Sequence, residues 1–132
     1  MGKLAHFFAA RPAWTLHGRL PGGDFDPQLL PTVIDDVRQR WRFLTEAHAR
    51  RLVLAYGTRV ERILAAAKNL DDLGTRFGAD LTAAEVRYLM EEEWAETVDD
   101  VLWRRSKLGL RISPREQETL ARFMTTGVEV ET

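Results

Sequence analysis

The chain has 132 residues, of which 45% are hydrophobic, and it contains no cysteine. This length and composition correspond to one domain that can bury its own core, and they exclude disulfides and thiolate metal sites. Nineteen basic and twenty acidic residues give a net charge of -1, whereas a general nucleic-acid binder carries a positive excess. The sequence also has no run of about eighteen apolar residues that could span a bilayer.

The distribution of proline divides the chain. Four of the five prolines lie between positions 11 and 31, and proline breaks helices and sheets, so this stretch is predicted to be an irregular linker. The apolar part of residues 1–10 is too short and interrupted for a signal peptide, and it is predicted to be the tail of a preceding helix. We expect three parts: a remnant of a preceding domain with the linker, a helical C-terminal domain and a frayed tail, at 1–26, 27–127 and 128–132.

Apolar residues recur with a helical period after the linker. Leu30, Val33, Ile34, Val37 and Trp41 follow one helical stripe. Thr45 has the position of an N-cap and Gly57 that of a helix stop. The helices expected in this half run from Gln28 or Thr32 to Arg42, over 46–56 and over 58–68, with a short helical turn within 69–78.

The last third has the clearest helix boundaries. Thr82 and Glu85 form a capping-box pattern, in which the hydroxyl and the carboxylate each satisfy a backbone N–H. Trp94 is assigned to the core stripe of the helix that follows. Thr97 with Asp100 resembles a weaker cap and predicts a break near 95–97, although one long bent helix over 80–108 stays an alternative. The final helix is predicted to begin at the cap Ser113-Pro114-Arg115-Glu116 and to end near Thr126, before Gly127.

These elements predict an all-α fold: a compact orthogonal bundle of about five to seven short helices after an irregular N-terminal linker. No segment alternates with period two over six residues. Leu108, Leu110 and Ile112 alternate briefly, and this piece is interpreted as an ordered connector.

The usual signatures of catalysis and metal binding are absent from the sequence. Gly22-Gly23-Asp24-Phe25 resembles a nucleotide-cyclase signature, but flanking prolines favour a structural turn. The histidines His6, His17 and His48 lack ligand spacing, whereas a metal site needs three or four convergent ligands. The chain has no Gly-x-Ser-x-Gly, Gly-x-Gly-x-x-Gly or phosphate-loop motif. We therefore assign no catalytic, cofactor-binding or metal residues to this chain.

Charge is segregated along the chain despite the neutral total. Residues 38–62 hold seven arginines against two glutamates, residues 80–100 hold eight acids against Arg87, and residues 101–115 hold five basic residues and no acid. One interpretation is a basic face for an acidic partner, nucleic acid or anionic lipid. The favoured interpretation is that the acidic block offsets the basic ones inside the fold. Asp100 and Arg104 already form an i,i+4 pair.

Two further patterns concern partners. Residues 45–67 could form a helix-turn-helix, but the second helix is mainly aliphatic, which disfavours nucleic-acid binding. Trp103 lies off the stripe of its own helix, so it belongs either to a second buried face or to a contact surface. Together with Arg104, Arg105 and Lys107 it forms the candidate contact surface.

Residues 93–95 and 98–109 resemble a known family. Their pattern Asp-Asp-x-Leu-x-Arg-Arg-x-Lys-x-Gly is similar to the C-terminal domain of FAD-dependent (aerobic, quinone-linked) glycerol-3-phosphate dehydrogenase. Leu20-Pro21-Gly22-Gly23, Tyr56-Gly57 and residues 81–88 resemble the same domain in order and spacing. The resemblance extends from about Leu4 to Phe123.

The resemblance implies a helical domain behind a large FAD-binding domain. The whole enzyme oxidises glycerol 3-phosphate to dihydroxyacetone phosphate and passes electrons through FAD to quinone at the membrane. Its cofactor and substrate residues belong to the N-terminal domain, so none is carried over to this chain, which is expected to be non-catalytic and without a cofactor.

The expected partners are the FAD domain of the same polypeptide, with subunit or membrane-surface contacts in the parent. The expected localisation is cytoplasmic, with the parent peripheral on the cytoplasmic membrane. The alternative is an independent helical adaptor or nucleic-acid-binding module.

Overall fold

Three helices begin at the caps that the sequence predicts. Thr45, Thr82 and Ser113 each accept a hydrogen bond from the backbone N–H three residues ahead, at 3.2, 3.4 and 3.4 Å. At the last of these caps the Glu116 carboxylate also accepts from the Ser113 N–H at 2.7 Å, which completes a capping box. These bonds satisfy donors that a helix leaves unpaired at its first turn.

The computed structural model describes residue 18 and residues 20–127, and within them the regular structure is helical. The five α-helices are α1 Leu30–Arg40, α2 Glu46–Tyr56, α3 Val60–Leu64, α4 Ala83–Glu92 and α5 Pro114–Thr126. A π-helical segment covers Asp100–Arg105, and short 3₁₀ turns cover Pro27–Leu29, Gly57–Arg59, Asp71–Leu73 and Leu108–Leu110. The part of the chain so described has one isolated β-bridge, between Arg76 and Thr82, and no strand. The all-α prediction is confirmed.

Positive backbone angles end several of these helices. Gly57 (φ 56°) follows α2 and Gly127 (φ 66°) follows α5, as predicted. α4 ends at Glu92, and the next helical residues begin at Val98. The predicted break near 95–97 is therefore confirmed, and residues 80–108 form two helical pieces. The connector between 108 and 112 contains a 3₁₀ turn and no strand.

The third helix is shorter than predicted. It ends at Leu64, because Ala65 adopts φ 40° and leaves the helical conformation. Beyond it, the Asp72 carboxylate accepts hydrogen bonds from the backbone N–H groups of Lys68 and Asn69 at 2.7 and 3.2 Å. A side chain that captures nearby backbone donors in this way competes with helical hydrogen bonding. The predicted third helix is therefore confirmed up to Leu64, and its extension to Lys68 was wrong.

The assignment of Trp94 to the core was also wrong. Its side chain is 81% exposed, and its φ is 55°. The helical stripe stops with α4, and the chain then turns so that Ala95 takes the buried position, with its N–H donating to the Leu89 carbonyl at 3.0 Å. Trp41, by contrast, is buried as predicted.

One core joins the two ends of the bundle. The rings of Phe77 and Phe123 lie 5.2 Å apart between centroids, which ties the loop before α4 to α5. The other fully buried large apolar side chains come from all parts of the bundle and include Leu52, Leu64, Leu73, Leu81, Leu89, Leu102 and Leu120. The predictions for residues 1–17 and 128–132, which include His6, His17 and Trp14, lie outside the described residues.

Candidate functional site

The Trp103 surface comprises Trp103, Arg104, Arg105 and Lys107. The Trp103 indole packs on the backbone of Gly109, where an added Cβ would lie 2.4 Å from the ring atom Cε2. Lys107 has a left-handed backbone (φ 61°), and its Nζ donates to the Trp103 carbonyl at 2.7 Å. Trp103 stays 43% exposed although one side of its indole packs on the chain. The structure therefore presents a large aromatic ring in a fixed position.

The cations of the Trp103 surface differ in their partners. Arg104 pairs with Asp100 at 2.6 Å, which confirms the predicted i,i+4 pair. Hydrogen bonds from Thr97, together with Arg104, lower the pKa of Asp100 to about 2. Among the described residues, no carboxylate lies within ion-pair distance of Arg105 or Lys107. Two basic residues that follow Trp103 in the sequence therefore have no ion-pair partner within this part of the chain.

The basic block at 38–62 is partly neutralised within the fold. Arg51 pairs with Glu85 at 2.7 Å and Arg62 with Glu92 at 2.9 Å, so both pairs join the basic block to the acidic block. The predicted compensation between the blocks is confirmed at these contacts. α3, the second helix of the helix-turn-helix alternative, has only five residues, and three of them are buried, whereas a recognition helix presents several polar side chains to base edges.

The buried carboxylate cluster consists of Arg51, Tyr56 and Glu85. The Glu85 carboxylate is fully buried and receives a bidentate pair of hydrogen bonds from the Arg51 guanidinium, both at 2.7 Å. The Tyr56 hydroxyl donates a third bond at 2.7 Å. Burial, followed by the charge of Glu85, raises the pKa of Tyr56 well above its usual range. Because no part of the carboxylate is exposed and both its oxygens are hydrogen-bonded, this cluster joins α2 to α4 in the interior of the bundle.

Sequence reasoning missed this cluster. The capping-box interpretation directed the Glu85 carboxylate to the backbone of Thr82, whereas the structure directs it to Arg51 and Tyr56. A signal was present in the helical spacing: Glu85 shares a face with Tyr88 and Leu89, three and four residues on, and both are buried. A carboxylate on a buried face needs a cation, and the facing helix is rich in arginine.

His48 lies beside this cluster as a packing residue. It is 4% exposed, and burial, followed by the positive charge of Arg51, lowers its pKa. Its Nε2 has no hydrogen-bond partner. Among the described residues, no group of three histidine, aspartate or glutamate side chains could hold a metal ion.

The Leu54 cleft is an open depression of about 390 Å³ between the N-terminal loop, residues 20–26, and the α2–α3 turn, residues 57–59. Its lining includes Leu20, Phe25, Leu54, Arg59 and Glu93. Gly22, which belongs to the predicted turn, forms one wall of the cleft. The turn is closed by a hydrogen bond of 2.9 Å from the Gly23 N–H to the Leu20 carbonyl. The turn prediction is therefore confirmed, and the turn has a role in docking the chain onto the bundle.

The Gly22–Gly57 contact fixes that wall. A Cβ on Gly57 would lie 1.7 Å from the Gly22 carbonyl oxygen, so only glycine permits the approach. The Thr58 N–H donates to the same oxygen at 3.2 Å, and the Thr58 hydroxyl donates to Asp24 at 2.6 Å. The sequence contained the glycines, but only the folded chain brings them together.

Two kinds of element are missing from the described residues: a β-strand and a helix that could span a membrane. An FAD crevice of the doubly wound type needs parallel strands and a glycine turn before a helix, and residues 20–127 contain no strand. None of the described helices is long and apolar enough to cross a membrane. Residues 20–127 thus define an all-helical domain with an internal ion pair.

The comparisons with known proteins identify that class more closely. A family described as the C-terminal domain of alpha-glycerophosphate oxidase matches residues 13–126, and the chain belongs to this family. A glycerol-3-phosphate dehydrogenase of Pseudomonas aeruginosa is 42% identical over 123 residues, which are 92% of this chain and 24% of that protein. The aerobic glycerol-3-phosphate dehydrogenase of Escherichia coli is 37% identical over 117 residues, 86% of this chain and 22% of that protein.

The similarity extends to a second named activity. A D-erythritol 1-phosphate dehydrogenase of Brucella abortus is 35% identical over 118 residues, 89% of this chain and 24% of that protein. The chain spans about a quarter of the length of these curated relatives. The resemblance inferred from residues 93–109 is therefore confirmed at the level of the family.

Proposed function

We propose that this chain is the non-catalytic C-terminal domain of an FAD-dependent dehydrogenase for a short polyol phosphate, with glycerol 3-phosphate as the first candidate. The whole enzyme would oxidise glycerol 3-phosphate to dihydroxyacetone phosphate, and electrons would pass through FAD to quinone. The observation that carries the proposal is the family match over residues 13–126. The named activities of the relatives support the substrate class, since both substrates are polyol monophosphates.

In this proposal FAD and substrate are bound by the domain that precedes this one. The buried carboxylate cluster supports the division of labour, because its one carboxylate is fully occupied by Arg51 and Tyr56. The parent is proposed to act in the cytoplasm, peripherally on the membrane.

The flavin test uses the chain as it stands. FAD, glycerol 3-phosphate and a dye acceptor are added to the purified chain, and flavin binding and dye reduction are measured. The expected result is neither stoichiometric binding nor turnover, whereas the intact parent gives both. Turnover by the chain alone would refute its non-catalytic role.

We further propose that the Trp103 surface contacts another protein surface in the parent, either the FAD domain or a second subunit. A half-exposed tryptophan followed in the sequence by two exposed arginines has the composition of an interface hot spot. Preorganisation supports this role, because the indole is already immobilised on Gly109 and loses little freedom on binding. A membrane surface is the alternative occupant, since Arg105 and Lys107 would also attract anionic lipid.

Replacing Arg104, Arg105 and Lys107 together by alanine in the intact enzyme tests this surface. We expect lower dye-linked activity and a lower thermal midpoint, with sedimentation on anionic vesicles unchanged. The matched control replaces Arg42, Arg50 and Lys68, which are equally basic, exposed and outside the surface, and it should leave all three readouts unchanged. Loss of vesicle binding alone would assign the surface to lipid, and no change in any readout would remove its role.

A further inference from the structure

We propose that the Leu54 cleft is the seat for an apolar segment of the domain that precedes this one in the same polypeptide. The inference rests on the proposed function, because it requires a preceding domain. The Leu54 cleft is distinct from the Trp103 surface, and its proposed occupant is a segment of the preceding domain.

The exposed apolar side chains around the cleft support a protein occupant. Leu20 is 77% exposed and Leu54 56% exposed, and both line the cleft together with Phe25. An exposed apolar group of this kind, bordered by polar side chains, is typical of an interaction site. Arg59 and Glu93 supply one charge of each sign at the cleft, so its charge does not select a polyanion such as nucleic acid or an anionic lipid surface.

The cleft is already formed before an occupant arrives. The Gly22–Gly57 contact and the hydrogen bond from Thr58 to Asp24 fix one wall against the other. The floor belongs to α2, whose last residue, Tyr56, is held by the buried Glu85 carboxylate at 2.7 Å. A site with fixed walls loses little conformational entropy on binding.

The path of the chain favours the preceding domain over a second copy of the chain as the occupant of the cleft. Leu20 itself lines the cleft, and the family match begins at residue 13. If the preceding domain ends near residue 10, as the sequence predicts, the ten residues up to Leu20 reach at most about 35 Å, so that domain is tethered near this depression. Tethering makes docking intramolecular, with an effective concentration in the millimolar range for short linkers. A second copy of the chain would have no such advantage.

Cysteine accessibility tests the proposal, because this chain has no natural cysteine. Leu54→Cys places a thiol in the cleft. Leu29→Cys is the matched control, since Leu29 is 51% exposed and does not line the cleft. Each variant is made in the isolated chain and in the intact enzyme, and maleimide labelling at that position is followed by peptide mass spectrometry.

We expect Leu54→Cys to be labelled at least about tenfold more slowly in the intact enzyme than in the isolated chain, as for a site covered nine-tenths of the time. Leu29→Cys should be labelled at similar rates in both. Equal labelling of Leu54→Cys in a flavin-loaded, active enzyme would overturn the cleft and leave the proposed function standing. Protection that appears in the isolated chain and grows with its concentration would also overturn it, in favour of a second copy. An intact protein that binds no flavin would instead refute the proposed function.

Discussion

Arg51→Met is expected to lower the free energy of unfolding by about 3–5 kcal/mol, because it leaves the buried carboxylate of Glu85 without its cation. The Arg51 side chain is 17% exposed and that of Glu85 is fully buried, so water cannot replace the lost bidentate pair. Tyr56 alone would then donate to the carboxylate. Urea denaturation followed by circular dichroism measures the loss.

The control for this prediction is Arg62→Met, which breaks the Arg62–Glu92 pair. That pair has a similar separation, 2.9 Å, but its side chains are 60% and 43% exposed. An exposed pair contributes at most about 1 kcal/mol. Adding Glu85→Leu and Tyr56→Phe to Arg51→Met removes every buried polar partner and should recover part of the stability. If Arg51→Met were no more destabilising than Arg62→Met, the ion pair would not hold α2 against α4.

Gly57→Ala should destabilise the domain by about 2–4 kcal/mol. Two effects combine: the φ of 56° disfavours any residue with a Cβ, and that Cβ would lie 1.7 Å from the Gly22 carbonyl oxygen. The N-terminal loop must then leave the α2–α3 turn. Chemical denaturation gives the stability, and labelling of Leu54→Cys in the same background reports the loss of the cleft wall.

Gly127→Ala separates the two effects. Gly127 has a similar φ of 66°, but nothing lies within 4 Å of its added Cβ. The conformational effect alone amounts to about 1 kcal/mol. The excess for Gly57→Ala over this control is the contribution of the Gly22–Gly57 contact, and an excess near zero would mean that the loop is not docked there.

Local signals predicted the helix boundaries well, because they involve neighbouring residues. A cap such as Ser113 with Glu116 needs only two residues that lie three positions apart. Gly57 and Gly127 end their helices through their own backbone freedom. The family resemblance was likewise carried by a contiguous pattern at 98–109.

The predictions that failed have both distant and local causes. Glu85 has the spacing of a capping residue, yet Arg51, 34 positions earlier, draws its carboxylate inward. Trp94 continues the apolar period of α4, but the helix has ended two residues before it. The Leu54 cleft was not predicted, because it joins segments near positions 20 and 54 that only the fold brings together.

The Gly22–Gly57 contact also has a mechanical consequence. A pull on the polypeptide upstream of Leu20 reaches the α2–α3 turn through Gly22 and Asp24 before it reaches Leu30, where α1 begins. The α2–α3 turn follows Tyr56 directly, and the Tyr56 hydroxyl donates a hydrogen bond to Glu85 in α4. A displacement of the preceding polypeptide would therefore be carried into the middle of the bundle as a rigid shift, and the first turn of α1 would be spared from unwinding.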